Sequence, residues 1–370
     1  MRLALEPPSP NPPPSAGPTP PLSPLGAGGD ADRTAAGSPG VRGAPHAVVP
    51  APHIADLIDQ IKASADKLAS DHTSRGDLKI LSRTLRELRS AFKVFAPYRR
   101  CRKVAIFGSA RTPRDAAAYQ QAVRFSRAMS ERGWLVVTGA ASGIMEAGHV
   151  GAGRDKSMGL NIILPYEQVS NSIIAGDPKL VTMKYFFTRK LMFVKESHAI
   201  CLLPGGFGTL DEGLEVLTLL QTGKRDMVPV VFLDEPGADF WGDFHRLIQD
   251  KLVARGMISP EDLSLYKLTD SVDEAVAEIL QFFRVYQSMR YVRGRLVLRL
   301  REPLADSCLE AINAQFADLL SGGRFVLSGP LDQEQDEPDL AHLPRLVFRF
   351  NHQSFGRLRQ LIDAINRGEG

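Results

Sequence analysis

Between residues 204 and 212 the chain reads Pro-Gly-Gly-Phe-Gly-Thr-Leu-Asp-Glu, with three glycines and a threonine set just ahead of two adjacent carboxylates. Glycines at 205, 206 and 208 carry no Cβ, so backbone N–H groups can approach a ligand there, and a helix starting on them adds the positive end of its dipole. That combination is an anion cradle, best suited to phosphate. It is not a Walker loop, because Leu214 follows Gly213 where that motif carries Lys and then Ser or Thr. Nor is it a dinucleotide fingerprint, since Asp211 stands where the third glycine of GxGxxG belongs. A plainer account is available for part of the segment: Thr209 followed three residues later by Glu212 has the spacing of a capping box. A cap does not require Gly-Gly-x-Gly in front of it.

A second group of chemical interest is Arg189-Lys190, inside the helical stretch MKYFFTRKLMFVKE (183–196). Charged pairs on a helix are usually solvated. Here Tyr185, Phe186, Phe187, Met192 and Phe193 surround the pair, which predicts a guanidinium emerging beside a partly dry pocket. Two further motifs have the same small-residue character. Ser109 lies in Gly-Ser-Ala-Arg (108–111), and Gly139 opens TGAASGIMEAG (138–148), a tight turn suited to face a sugar or base, or simply to pack a helix closely on a strand. His149 and His198 have no Cys or carboxylate at ligand spacing and read as structural, so neither a metal nor a cofactor is expected.

These residues need a frame. VAIFG (104–108), WLVVTG (134–139), LNIIL (160–164), AICLLPGG (199–206) and VPVVFL (228–233) are short apolar runs separated by helical patterning. Continuous apolar strands alternating with helices predict an α/β fold, a Rossmann-like doubly wound parallel sheet buried on both faces. Ligands in that fold sit at the carboxyl ends of the strands, and the three motifs all follow a run directly. The helix DEAVAEILQFF (273–283) closes the sheet domain. After it, RLVLRLR (295–301) and RLVFRF (345–350) alternate, setting Leu296, Leu298 and Leu300 against Arg295, Arg299 and Arg301, and Leu346, Phe348 and Phe350 against Arg345 and Arg349. The expectation is two half-buried strands with a solvated arginine face, a third strand near 325–327, helices near 307–320 and 354–366, and an acidic loop at 332–339. An oligomer contact or a nucleotide-effector surface is the other use for those arginines. From 284 onward 12 Arg face 11 acidic residues, so the region is nearly neutral overall.

The division expected is a Pro/Gly-rich disordered segment at 1–50, N-terminal helices at 51–100, the Rossmann-like domain at 101–284 and a small C-terminal α+β domain at 285–370. The first segment holds 13 of the 26 prolines. Across 370 residues, 45 Lys+Arg against 42 Asp+Glu leave a formal charge of +3, too little to suggest nucleic acid as the main ligand. Three cysteines, about a hundred residues apart, form neither a disulfide framework nor a metal spacing and suit a reducing cytoplasm. No run has the length of a secretory signal or a membrane span, so a soluble cytoplasmic protein is expected.

PGGFGTLDE, the upstream TRK, FGSAR and TGAASGIMEAG together resemble the LONELY GUY (LOG) family, whose older label is lysine decarboxylase-like. The resemblance spans about 102–283. It implies a Rossmann-like fold and hydrolysis of the N-glycosidic bond of nucleoside 5′-monophosphates, AMP or cytokinin riboside monophosphates, to free base and ribose 5-phosphate. It further implies Glu212 and Arg189 as the catalytic couple, with Lys190, Gly205, Gly206, Gly208 and Thr209 as phosphate and substrate contacts. Glu167 and Thr218 fall where relatives contact the nucleotide. A homodimer or larger assembly with sites at its interface is also implied. This chain departs from the pattern at Gly139-Ala140-Ala141, where GGG is usual, and at Phe186, where Met is common; both bear on which base is accepted.

The residues suit that reaction. Breaking C1′–N develops positive charge on the ribose, which a carboxylate can stabilise while it orients or deprotonates water. An arginine in a dry pocket offsets the phosphate or the departing base. The chief alternative is a non-catalytic nucleotide- or cofactor-binding protein on the same fold, against which the retention of both Arg189 and Glu212 argues. Nothing in the chain beyond the label supports a pyridoxal-phosphate decarboxylase.

Overall fold

The computed structural model describes residues 52–165 and 170–368. The proline-rich segment and Glu167 lie outside the described residues. The chain forms two units. The first, Met1–His72, contributes α1 (Pro52–Lys67), an amphipathic helix.

The second unit, Thr73–Gly370, opens on α2 (Arg75–Phe95). Ser74 starts that helix by accepting a hydrogen bond from the Asp77 N–H at 3.1 Å. Then strands and helices alternate: β1 (Lys103–Phe107), α3 (Ala117–Glu131), β2 (Leu135–Thr138), α4 (Ile144–Lys156), β3 (Ser157–Ile162), β4 (Leu180–Met183), α5 (Phe186–Glu196), β5 (Ala199–Leu202), α6 (Phe207–Gln221), β6 (Val230–Leu233), α7 (Phe240–Leu247), β7 (Lys267–Thr269) and α8 (Val272–Phe282). The seven strands are all parallel, in the order β4-β3-β2-β1-β5-β6-β7. Every residue of β1, β2, β3, β5 and β6 is buried, which is why their sequences are continuous rather than alternating. The short outermost strands β4 and β7 lack such runs and escape the sequence reading.

A four-stranded antiparallel sheet follows, built from β8 (Tyr286–Val292), β9 (Arg295–Leu300), β10 (Leu320–Ser328) and β11 (Arg345–Phe350) in the order β10-β11-β9-β8, with α9 (Asp306–Gln315) and α10 (Phe355–Arg367). β8 was not legible, because Gln287, Ser288 and Arg290 interrupt its alternation. The apolar faces of β9 and β11 join the same core as the parallel sheet, through Leu298, Leu300, Phe348 and Phe350. Asn366 ties the two parts together. Its Oδ1 accepts from the Val285 and Tyr286 N–H groups at 2.9 and 3.0 Å, and its Nδ2 donates to the Phe282 carbonyl at 2.6 Å.

The expectation of a solvated arginine face needs correction. Arg299 and Arg345 are 2% and 1% exposed. The loop 332–339 folds over them, and Glu334 accepts from Arg299 Nη2 at 2.7 Å and Arg345 Nε at 3.1 Å. Burial pushes the Glu334 carboxyl up, but the Leu331 N–H and the two guanidiniums outweigh it and hold the group at about 2. Alternation predicted where the arginines point. It could not show that the acidic segment between β10 and β11 folds back to cover them.

Candidate functional site

Strand order reverses at β1, from which β2, β3 and β4 extend to one side and β5, β6 and β7 to the other. Crevices form at the carboxyl ends of strands at such a point, and here the crevice is a cavity of about 560 Å³. Ser109, Gly139, Arg189, Gly206, Gly208 and Glu212 are among its lining residues. Ser109 stitches the strand-end loops together. Its N–H donates to the Pro204 carbonyl at 3.2 Å, and its own carbonyl accepts from the Ile144 N–H at 3.0 Å. The loops after β1, β2 and β5 are thereby held in one arrangement.

α6 begins at Phe207, with Gly206 as its N-cap and no side-chain cap. The capping-box reading of Thr209 and Glu212 is therefore corrected. Gly206 supplies the extended backbone that ends the loop, so the helix starts three residues earlier, and Thr209 and Glu212 stand inside its first turns. The uncapped N–H groups of that turn border the cavity, leaving donors available to an anion. Gly206 and Gly208 face open space, whereas a Cβ on Gly205 would lie 2.2 Å from Thr209 Oγ1 and 2.9 Å from the Ser109 nitrogen. Gly205 thus does not line the cavity. It permits the close approach of the β5 loop to the helix and to the β1 loop.

Glu212 projects from α6 and Arg189 from α5, with Arg189 Nη2 3.8 Å from Glu212 Oε1. Both side chains are largely buried. Burial raises the Glu212 carboxyl to about 7 even though Lys190 and Arg189 pull it down. Arg189 lies 5.1 and 5.8 Å from the ring centres of Phe186 and Phe193, as the cluster of aromatics around it predicts. Its Nε is buried without a hydrogen-bond partner. Lys190 Nζ is held by Asp211 at 3.0 Å and by Glu215, and approaches Glu212 Oε2 only to 3.9 Å. It is a neighbour of the carboxylate rather than a wall of the cavity. Thr218 does not reach the cavity: it stands on the exposed side of α6, its hydroxyl turned back to the Leu214 carbonyl at 2.8 Å.

A second cavity of about 720 Å³ shares Gly139, Met145 and Arg189 with the first and extends past Asn161, Asn171 and Phe186. Sequence reasoning missed Met145, Asn161 and Asn171, which have no motif of their own, although Met145 lies within the TGAASGIMEAG run. Ala140, in the loop where two alanines replace glycines, has φ = 62°, a conformation that strains a side chain. Its carbonyl is pinned by the Asn171 N–H at 2.8 Å and Nδ2 at 3.1 Å. His149 is buried among Thr138 Oγ1, the Met158 carbonyl and Asn171, as a structural histidine should be. Among the described residues no cluster of His, Cys, Asp and Glu could hold a metal ion, and no helix is long and apolar enough to cross a membrane.

Comparison with known proteins finds chains similar to this one. Residues 138–279 match the family model described as "Possible lysine decarboxylase". A rice protein (Oryza sativa subsp. japonica) named "Probable cytokinin riboside 5′-monophosphate phosphoribohydrolase" is 34% identical over 44% of this chain, a match that spans 64% of the rice protein's length. The cytokinin riboside 5′-monophosphate phosphoribohydrolase of Mycobacterium tuberculosis is 28% identical, over 47% of this chain and 90% of its own. Among solved structures, the molybdenum cofactor carrier protein of Chlamydomonas reinhardtii is 20% identical with a TM-score of 0.34, covering 49% of this chain and 97% of that one.

Proposed function

We propose that the chain, which is similar to cytokinin riboside 5′-monophosphate phosphoribohydrolases over the part that holds this site, is a LONELY GUY-type N-glycosidase that hydrolyses nucleoside 5′-monophosphates to free base and ribose 5-phosphate, of the AMP nucleosidase or cytokinin riboside monophosphate type. The observation that carries the reading is a buried carboxylate and a buried guanidinium on adjacent helices, facing the same cavity as an uncapped glycine-started helix. The α6 N-terminus and the loops around Gly206, Gly208 and Ser109 hold the 5′-phosphate. That places the ribose over Glu212, the next turn of the same helix, and sends the base toward the second cavity.

In the reaction the water oxygen bonds to C1′, the C1′–N bond breaks, and its electron pair leaves with the base, which takes up a proton. Glu212 in its ionised form stabilises the oxocarbenium-like ribose and accepts the proton of the attacking water. Arg189, partly unpaired in its dry pocket, offsets charge on the phosphate or departing base. Such a contact contributes on the order of 2–4 kcal/mol of barrier lowering. Exposed apolar side chains on the same helices, Phe186, Phe187 and Leu191 on α5 and Phe207 and Leu214 on α6, support a homodimer or larger assembly closing over the site. No nucleic acid, metal or cofactor has a role in this reading.

The test is to incubate the protein with AMP, GMP, CMP, UMP and isopentenyladenosine monophosphate, and with the matching nucleosides, and to follow free base and ribose 5-phosphate by chromatography. Release from a monophosphate but not from its nucleoside is expected. Nucleotide binding without release from any of them would instead favour the carrier alternative.

A further inference from the structure

The outward face of the antiparallel sheet has two ends with opposite electrostatics. At one, Arg299 and Arg345 are buried beneath Glu334. At the other, Arg295 on β9, Arg324 on β10 and Arg349 on β11 line a cavity of about 630 Å³. Among the described residues none of these three guanidiniums has an ion pair or a hydrogen bond. Isolated surface arginines are commonplace. Three from adjacent strands converging on one concavity are held at a cost in mutual repulsion that a bound anion relieves.

The backbone at this end is shaped for close approach as well. Between the pairs Gly322↔Arg349 and Val326↔Val347 the ladder of β10 and β11 is broken, with more residues on β10 than on β11. Gly323 in that bulge has φ = 79°, and neither Gly322 nor Gly323 has any atom within 4 Å of where a Cβ would stand. Within the bulge the Phe325 N–H donates to Asn313 Oδ1 at 3.0 Å, so the part open to a ligand is the glycine stretch before it. Leu331 and Val347 give the cavity an apolar floor beside the arginines. Arginine forks, an opened glycine backbone and a small apolar floor are the three elements that recognise a phosphate chain carrying a flat organic group.

We propose that this end of the sheet is a second ligand site, separate from the cavity beside Glu212, for a small molecule bearing a chain of phosphates, such as a nucleoside di- or triphosphate. A chain of phosphates offers each of the three guanidiniums an anionic group of its own, so a polyphosphate is preferred over a monophosphate. The inference does not depend on the hydrolase reading, since no residue of the catalytic cavity takes part in it.

Calorimetric titration of the full chain with ATP, with inorganic tripolyphosphate and with AMP tests it. Both polyphosphates are expected to bind at sub-millimolar concentration, more weakly as salt is raised, with AMP binding unaffected by changes at this end. The double variant Arg324→Glu/Arg349→Glu replaces two exposed side chains and should lose polyphosphate affinity at least a hundredfold without lowering the melting temperature of the free protein. Arg124→Glu/Arg127→Glu, the same change of net charge on α3, should retain it. Tighter binding of ATP than of tripolyphosphate assigns the ligand as a nucleotide, and equal binding assigns it as the phosphate chain alone; either keeps the site. Absence of polyphosphate binding, undiminished affinity in the β10/β11 variant, or an equal loss in the α3 variant would overturn it.

Discussion

Arg189 Nη2 and Glu212 Oε1 stand 3.8 Å apart in a largely buried setting, close enough to attract and too far to share a hydrogen bond. A structural ion pair at that depth normally closes to a bidentate contact, because each ion has lost its water. Here the gap remains open, Arg189 Nε has no partner, and burial raises the carboxyl to about 7, so that both its protonation states are present near neutral pH. The pair is poised toward the space between α5 and α6 rather than toward itself, which is what a site that awaits a charged ligand requires.

Replacing Glu212 by Gln keeps the shape and removes the ionisable group. Turnover of the accepted monophosphate should fall roughly a thousandfold, while nucleotide binding persists. Steady-state rates and equilibrium titration on the same preparation separate the two, and a variant with wild-type turnover would remove Glu212 from the mechanism.

The raised Glu212 carboxyl sets a pH signature. The group is protonated below about 7 in the folded protein, and the ionised form does the chemistry, so kcat/KM should rise with pH through about 7. For stability the sign is opposite. The unfolded chain ionises this group near its ordinary 4.5, so folding loses stability between about 4.5 and 7 as pH rises. Urea unfolding of Glu212→Gln against the parent should therefore show the variant gaining relative stability across that window, with the rate profile losing its inflection in step.

Glu334 serves two buried arginines at once. Substituting Ala leaves Arg299 and Arg345 without their shared carboxylate and should cost about 3–5 kcal/mol of stability, read as a shift in the denaturant midpoint. Its carboxyl is depressed to about 2 in the fold. The stability it contributes is present above the unfolded value of 4.5 and is lost as pH falls toward about 2. Acid titration of the parent protein should show that loss, and Glu334→Gln should not.

Gly205→Ala tests the packing role assigned to that glycine. The new methyl would collide with Thr209 Oγ1 and the Ser109 nitrogen, so either the β5 loop or the start of α6 must move, at about 1–3 kcal/mol. The monophosphate KM should rise with the loss in stability. Gly206→Ala, which meets open space, should leave the melting temperature close to that of the parent, and equal destabilisation by both would argue against the distinction.

Much of this molecule follows from its sequence because the relevant physics is local. Continuous apolar runs mark strands covered on both faces, and the Gly-Gly-x-Gly stretch after AICLL can only be a strand-end loop leading into a helix, so the parallel sheet and the position of the cradle were legible. Residues whose role depends on what crosses over them were not. The alternation of β9 and β11 orients Arg299 and Arg345 correctly but says nothing of Glu334 arriving from a loop to bury them. Thr218 carries the same residue type as Thr209 on the same helix, and only the rotation of α6 against the sheet turns one to the cavity and the other away. Gly205 and Gly206 are identical neighbours in the chain, yet the approach of the β1 loop makes one a packing requirement and leaves the other facing the cavity. Local pattern determines which way each backbone runs; long-range packing determines which side chains are deprived of water, and so which of them acquire a shifted charge or an unsatisfied hydrogen-bonding group.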